Sequence, residues 1–284
     1  MSFERTASGP VRLVFVAVAL ILPMPPAVSA HNPVFSPGPH VTYEGGFEVT
    51  AGYEQESSNA AAGDDTEREF KLEFEYGLTP DWTAELELPY RSVDSGGTSS
   101  TGVGDVVFRS RYRFYRDDLP GEQRSAALLA QVKLPSGDEH SRPRLGSGST
   151  DFVGGLLFGR EGRRWYYYGA ARYRWNTRGA GGLKRGDRQF VDLAGGVRPV
   201  LTGYLEPDTV LFLELNFENA ARDQLRGSGI GGTGGWELFV SPGLFWTYRN
   251  VAIRGGVQLP VAEGLNARQP ESDYRVKLEF RAQF

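Results

Sequence analysis

The chain has 284 residues, a formal net charge of −4, no cysteine, and 23% charged against 40% apolar residues. Lack of cysteine excludes a disulfide framework, a thiolate metal centre and a cysteine nucleophile. The near-neutral balance without a long basic run excludes nucleic acid as the main partner, and the composition is neither that of a disordered chain nor that of a bundle of membrane helices.

Arg5 and Arg12 precede the apolar run Leu13–Leu22, which Pro23, Pro25 and Pro26 end before the small residues Val28-Ser29-Ala30. These are the parts of a secretory signal peptide; a retained anchor helix would need about 20 apolar residues. Residues 1–30 are therefore expected to be removed, leaving His31 first in a mature chain of 254 residues with a charge of −5. Residues 31–42 are Pro-rich and are expected to be an N-terminal periplasmic segment. Its two histidines, His31 and His40, could ligate copper or zinc, but two ligands in a mobile tail make a weak site. No metal or other cofactor is expected.

From Tyr43 onward about ten residues of apolar–polar alternation recur, each run followed by Gly, Pro, Asp, Asn or Ser. A period of two is the strand signature. Phe70, Leu72, Phe74 and Tyr76 alternate with Lys71, Glu73 and Glu75; at the C-terminus Tyr274, Val276, Leu278, Phe280 and Ala282 alternate with Arg275, Lys277, Glu279 and Arg281. Twelve such segments lie near 43–54, 67–77, 82–90, 103–115, 126–135, 150–160, 165–176, 187–199, 209–219, 235–248, 251–259 and 273–284. Connections after even segments tend to be short, as at Gly77–Asp81, Glu161–Arg164 and Arg249-Asn250, with longer exceptions after segments 4 and 8. After odd segments they are long and Gly-rich, as at Arg91–Thr101 and Ser136–Ser149. Short turns at one rim and long loops at the other characterise bacterial outer-membrane barrels. The fold class expected is all-β, a closed antiparallel up-and-down transmembrane β-barrel over residues 43–284. The 199–209 connection and the kink at Ser241-Pro242-Gly243 leave ten or fourteen strands open.

Alternation alone also fits a secreted β-sandwich, and three features favour the barrel. Trp82, Trp165, Tyr167, Trp246 and Tyr248 fall at the short-turn ends of their segments, and Tyr53, Tyr90, Trp175, Trp236 and Tyr274 at the opposite ends. Two aromatic belts fit two membrane interfaces. Segments of nearly matched length suit closure, which a bilayer requires. The chain also ends on Phe284 after alternating apolar residues, which resembles the C-terminal assembly signal of outer-membrane proteins. The resemblance implies outer-membrane lipids and the barrel-assembly machinery as partners.

Positions between the apolar ones then line the lumen. Segments 1–3 contribute Glu44, Glu48, Glu73, Glu75, Glu85 and Glu87; segment 4 contributes Arg109, Arg111 and Arg113; segment 7 Arg172 and Arg174; segment 12 Arg275, Lys277 and Arg281. Segment 7 lies roughly opposite segment 1 in such a ring, so an acidic wall is expected to face a basic one across a narrow pore. The bland alternative is that neighbouring Arg and Glu pair and fill a small barrel.

Catalytic signals are sparse. Asp138-Glu139-His140-Ser141 offers triad residue types, but adjacent residues on a loop do not make a triad, and no enzyme is expected. Gly102-Val103-Gly104-Asp105 and the glycines of 227–235 lack the following helix and lysine of a phosphate loop. Leu88-Pro89-Tyr90, Leu134-Pro135-Ser136 and Leu259-Pro260-Val261 end odd segments, where a missing N–H costs least.

Several of these pieces together resemble the outer-membrane family named for the meta-pathway of phenol degradation. The residues carrying the resemblance are Tyr76-Gly77-Leu78-Thr79 with Trp82, Leu86–Tyr90, Gly102–Val106, Val132–Asp138 and Ala252–Pro260. The resemblance implies a transporter-like barrel and aromatic or other small catabolic substrates; its motifs are structural and bring no site residues with them. The expected function is a passive channel for small solutes. The alternative is a non-conducting structural or surface-binding barrel acting through its long loops, and a lipid-modifying barrel enzyme stands third.

Overall fold

The computed structural model describes residues 31–60, 63–203, 206–267 and 269–284; the expected signal peptide, residues 1–30, lies outside the described residues. Alternation produces twelve long strands: β1 (Phe47–Ala60), β2 (Gly63–Thr79), β3 (Trp82–Ser95), β4 in two halves (Thr98–Val103 and Val107–Leu119), β5 (Glu122–Lys133) and β6 (Asp151–Gly162). The second half of the ring is β7 (Trp165–Trp175), β8 (Arg188–Val197), β9 (Asp208–Ala220), β10 (Gly235–Tyr248), β11 (Val251–Leu265) and β12 (Glu271–Gln283). Each pairs antiparallel with its neighbours in sequence, and β12 returns to β1, with Glu48 opposite Gln283 and Glu54 opposite Lys277. The ring is closed and has twelve strands, which settles the strand count. At the seam Phe284 donates its N–H to the Phe47 carbonyl at 2.7 Å and accepts the Phe47 N–H at 3.0 Å.

What fixes the register is an inverted pattern of burial. On β9, Asp208, Val210, Phe212, Glu214 and Asn216 are buried, whereas Leu211, Leu213 and Leu215 are 44–58% exposed. On β3, Thr83, Glu85 and Glu87 are buried between exposed Trp82, Leu88 and Tyr90. Slipping one residue would swap every charged side chain for an apolar one. A globular core shows the opposite preference, with Glu and Arg outside; here leucines and aromatics form the outer skin and carboxylates line the interior, as a bilayer demands.

The aromatics of the two expected belts keep to the outward parity. Trp82, Tyr90, Trp165, Tyr167, Trp175 and Trp236 are exposed, and Tyr53, Trp246, Tyr248 and Tyr274 are half-buried on the same side. Trp82, Trp165, Tyr167, Trp246 and Tyr248 stand near the short turns and the others toward the long loops.

Several boundaries differ from expectation. The turn after β4 is only Pro120-Gly121, because the charged run Arg116–Asp118 continues the strand, Arg116 and Asp118 pairing at 2.8 Å. The stretch Arg91–Thr101 is a ribbon rather than a loop: β3 and the first half of β4 turn at Gly96 and Gly97, whose positive φ of 57° and 78° suits a two-residue hairpin. Ser241-Pro242-Gly243 stays within β10, although the β10–β11 ladder lapses between Val240–Leu259 and Gly243–Gly256, where Pro242 has no N–H to offer. The 198–207 connection is the one long crossing at the short-turn rim among the described residues.

Candidate functional site: the lumen and the segment folded into it

Cross-strand register decides how the lumen charges meet. Arg109 stands opposite Glu85; it bonds that carboxylate and reaches Glu87 at 3.1 Å. Arg111 bonds Glu75 across the width of β3 and lies 3.3 Å from Glu85. Lys71 holds Glu54 at 2.7 Å and Glu73 at 3.1 Å, while Lys277 reaches Glu54 at 3.2 Å and Glu279 at 3.1 Å. Arg281 pairs with Glu48 at 3.0 Å, Arg254 with Glu279, and Arg275 with Glu218 at 2.6 Å. The expectation of an acidic wall facing a basic one is therefore corrected. The basic strands β4 and β12 lie beside the acidic strands β3 and β1, so the charges interleave and neutralise one another within each wall.

Two residues named from the sequence have other roles. Arg113 points inward but its guanidinium lies 2.9 Å from Asp81 and donates to the Pro80 carbonyl at 2.7 Å, bracing the β2–β3 turn. Glu44 is exposed in the turn before β1 and does not line the lumen. Arg172 faces inward and bonds Asp192 at 2.7 Å. Glu73, Glu85 and Glu87 bring carboxylate oxygens within 4.8 Å of one another, a cation-site spacing; Lys71 and Arg109 already supply the positive charge there.

Residues 31–42, expected as an N-terminal periplasmic segment, fold into this interior. His31–Val34, Ser36, Gly38–His40 and Thr42 are buried. Pro33, Pro37 and Pro39 remove N–H groups and keep the chain extended, so the segment cannot add to a ladder. Its remaining donors find side chains instead. Glu214, fully buried on β9, accepts the N–H groups of Val34 at 2.6 Å, Phe35 at 3.1 Å and Ser36 at 2.8 Å, and the Ser36 hydroxyl at 2.6 Å. Successive amides converging on one carboxylate form an anion-binding nest. Arg254 donates to the Pro33 carbonyl at 3.1 Å, Tyr168 to the His31 carbonyl, and Thr42 Oγ1 to Glu75 at 2.6 Å.

The wall makes room for the segment with glycine. A Cβ on Gly243 would sit 2.7 Å from a Val34 methyl, one on Gly256 3.1 Å from the Phe35 ring, and one on Gly159 2.9 Å from Pro39. The histidines are placed apart, at the short-turn half of the barrel: His31 Nε2 lies 3.0 Å from Asp208 on β9, with its ring between Tyr166 and Phe245, and His40 Nε2 lies 2.5 Å from Glu161 on β6. They share no ligand position. Two adjoining lumen cavities of about 160 and 190 Å³ meet around Phe35, Phe190, Arg172 and Arg174.

The other rim is closed in by the 134–150 loop. Asp105, in the break of β4, accepts Gly137 N–H at 3.0 Å, Ser147 N–H at 2.9 Å and Ser147 Oγ at 2.6 Å, with Lys133 3.3 Å away. Burial pushes the Asp105 carboxyl up, but the Ser147 and Gly137 hydrogen bonds and Lys133 outweigh it and hold the group below its ordinary range. At the loop's tip Ser141 Oγ donates to the Asp138 carbonyl at 3.0 Å, and the exposed His140 ring lies 3.8 Å from the Asp138 carboxylate. Ser141 and His140 do not bond each other in this arrangement.

The family described as "Putative MetA-pathway of phenol degradation" matches residues 89–265. The chain belongs to this family. That agrees with the resemblance carried by Leu86–Tyr90, Gly102–Val106 and Val132–Asp138. No curated protein matches the sequence. Among solved structures, the COG4313 outer membrane channel from Pseudomonas putida F1 superposes with a TM-score of 0.66 at 16% identity, covering 88% of this chain and 99% of that one. The NanC porin gives a TM-score of 0.50 at 14% identity over 83% of this chain and 98% of its own. The β domain of the Bordetella autotransporter BrkA gives 0.52 at 12% identity over the same shares. At these identities the likeness is one of fold: this member of the phenol-degradation family has the architecture of an outer-membrane barrel.

Proposed function

We propose that the protein is a narrow passive channel for small solutes in the bacterial outer membrane, with residues 31–42 occupying its lumen and setting what passes. The observation that carries the reading is the inside-out burial, apolar skin around a charged interior, combined with remaining cavities that hold on the order of ten water molecules each. Interleaved ion pairs neutralise most of the lumen charge, so the lumen filters by size and by local contacts rather than by a field across it. The channel of Pseudomonas putida and the NanC porin, alike in fold, support this reading. Residues 1–30 would export the chain, and Phe284, which closes the seam with Phe47, would present the end of β12 to the barrel-assembly machinery. Both termini then lie on the short-turn, periplasmic side.

The test is single-channel recording of refolded His31–Phe284 in a planar bilayer. Small, discrete conductance steps are expected. Silence from a barrel that is folded by heat-modifiable gel migration, both as the native chain and as Glu214→Ala, overturns the channel and leaves a barrel that works through its long loops.

A further inference from the structure

Arg174 stands on the long-loop half of β7, facing the cavities beside Phe35. In the ladder its direct partner is Arg188 of β8, and Arg172 faces the same way two residues earlier. Like charges placed opposite one another on a sheet are destabilising, so three guanidinium groups on one wall call for counter-charge. Two of them have it. Arg172 bonds Asp192 at 2.7 Å, and Arg188 lies 3.8 Å from Glu218. Glu218 itself is held more closely by Arg275, at 2.6 Å. Two further carboxylates on this side are also taken, Asp151 by Lys133 at 2.5 Å and by the Thr177 N–H at 3.0 Å, and Asp187 by the Asn176 N–H at 2.9 Å and Lys184 at 3.3 Å. Among the described residues Arg174 has no ion pair and no side-chain hydrogen bond; the contact it does make is with an aromatic ring. Its guanidinium carbon lies 5.3 Å from the centre of Phe190, and that of Arg172 lies 4.8 Å from the same ring.

A lumen that neutralises its other arginines leaves this one open, next to two phenyl rings, Phe190 of the wall and Phe35 of the N-terminal segment. We propose that Arg174, with Arg172 and Arg188 behind it, is a binding subsite for a small organic monocarboxylate with a flat apolar body. The guanidinium fork matches a carboxylate in two parallel hydrogen bonds, and the rings bed the apolar part. The other cations that line this cavity already hold carboxylates, Lys277 with Glu54, Arg275 with Glu56 and Glu218, and Arg172 with Asp192, so a dianion's second charge finds no free partner. This names a solute class for the channel reading and rests on it only for transport, not for binding.

The experiment therefore measures binding first. Benzoate, its neutral isostere benzamide, and acetate, which lacks the ring, are titrated calorimetrically into the folded full-length mature barrel in nonionic detergent. Benzoate is expected to bind more tightly than either, and at least tenfold more weakly to Arg174→Gln. Arg174→Lys, which keeps the charge without the fork, should fall between, and Arg178→Gln, on the adjoining loop, should match the native chain. Relief of like-charge repulsion favours folding of Arg174→Gln, checked by heat-modifiability. Equal binding of benzamide, or undiminished benzoate binding by Arg174→Gln, overturns the subsite. Benzoate binding in a barrel that never conducts removes the channel and leaves the subsite standing. Conduction without benzoate binding does the reverse.

Discussion

The Glu214 carboxylate accepts the Val34 N–H at 2.6 Å, although the two residues stand 180 positions apart in the chain. That one bond ties the segment of residues 31–42 to a strand eight places along its own barrel. It works because β9 turns Glu214 inward, fully buried, where three successive amides and a hydroxyl can meet it. A buried carboxylate without such donors would be costly. The segment and the strand therefore satisfy each other, and neither is well placed alone.

Replacing Glu214 by Ala should release residues 33–37 from the lumen wall. Each hydrogen bond to a charged group contributes about 1.5–3 kcal/mol, and four are lost together. Hydrogen exchange read at Val34, Phe35 and Ser36 is expected to lose its protection, and single-channel conductance to rise. Protection that persists in Glu214→Ala would mean the segment is held mainly by Arg254, Tyr168 and the packing against glycine.

Packing is tested separately at Gly243. A Cβ there would lie 2.7 Å from the Val34 side chain, and its other near neighbour, the Gly255 carbonyl oxygen, is 3.2 Å away. Gly243→Leu should therefore act on the segment more than on the barrel. Overpacking of this kind costs about 1–3 kcal/mol. The expected result is a barrel that still migrates as folded without heating, with increased conductance and faster cleavage of the N-terminal stretch by added protease. Unchanged cleavage would show that the segment can shift sideways and keep its seat.

Most of the fold was legible in the sequence because a barrel writes itself as a period of two. Phe70, Leu72, Phe74 and Tyr76 against Lys71, Glu73 and Glu75 already give the two faces of β2, and the Trp and Tyr positions mark its neighbours' ends. The opposed charged walls failed for lack of register. Which Glu meets Arg109 depends on the hairpin at Gly96 and Gly97 and on the break between the two halves of β4, and neither is visible in an alternation count. The folded-in segment escaped for a different reason: residues 31–42 have no periodicity, and their proline content reads as linker. A signal was present on the other partner. Gly159, Gly243 and Gly256 fall on inward positions where larger side chains would fill the lumen, and those gaps are where Pro39, Val34 and Phe35 lie.

Arg111 provides a charge test inside the wall. Its guanidinium bonds Glu75 and lies 3.3 Å from Glu85. Breaking a buried pair from one side costs about 3–5 kcal/mol because the partner is left uncompensated. Arg111→Gln and Glu75→Gln should each lower the unfolding midpoint in urea, and the double variant should lose less than their sum. Strict additivity would show that lumen water already screens the pair. Arg111→Glu should also move ion selectivity toward cations in the bilayer, since it strips Glu75 of its guanidinium and adds a carboxylate beside it.

The long-loop rim carries a dependence on acid. Asp105 accepts three hydrogen bonds from the 134–150 loop, and these hold its carboxyl below the ordinary range despite burial. A carboxyl depressed in the folded state stabilises that state above its unfolded value, about 3.9, and the contribution is lost as pH falls through the lower folded value. The loop should stay fastened from neutral pH down to mildly acidic conditions and loosen only in stronger acid. Amide exchange at Ser147, corrected for intrinsic rate, is expected to follow that course. Asp105→Asn, uncharged at every pH, should show the loosened state at pH 7 and no further acid step. The loop would lie more open over the cavities, which should raise conductance without altering the heat-modifiable shift. An acid step that survives in Asp105→Asn would overturn Asp105 as the acid-sensitive anchor of the loop.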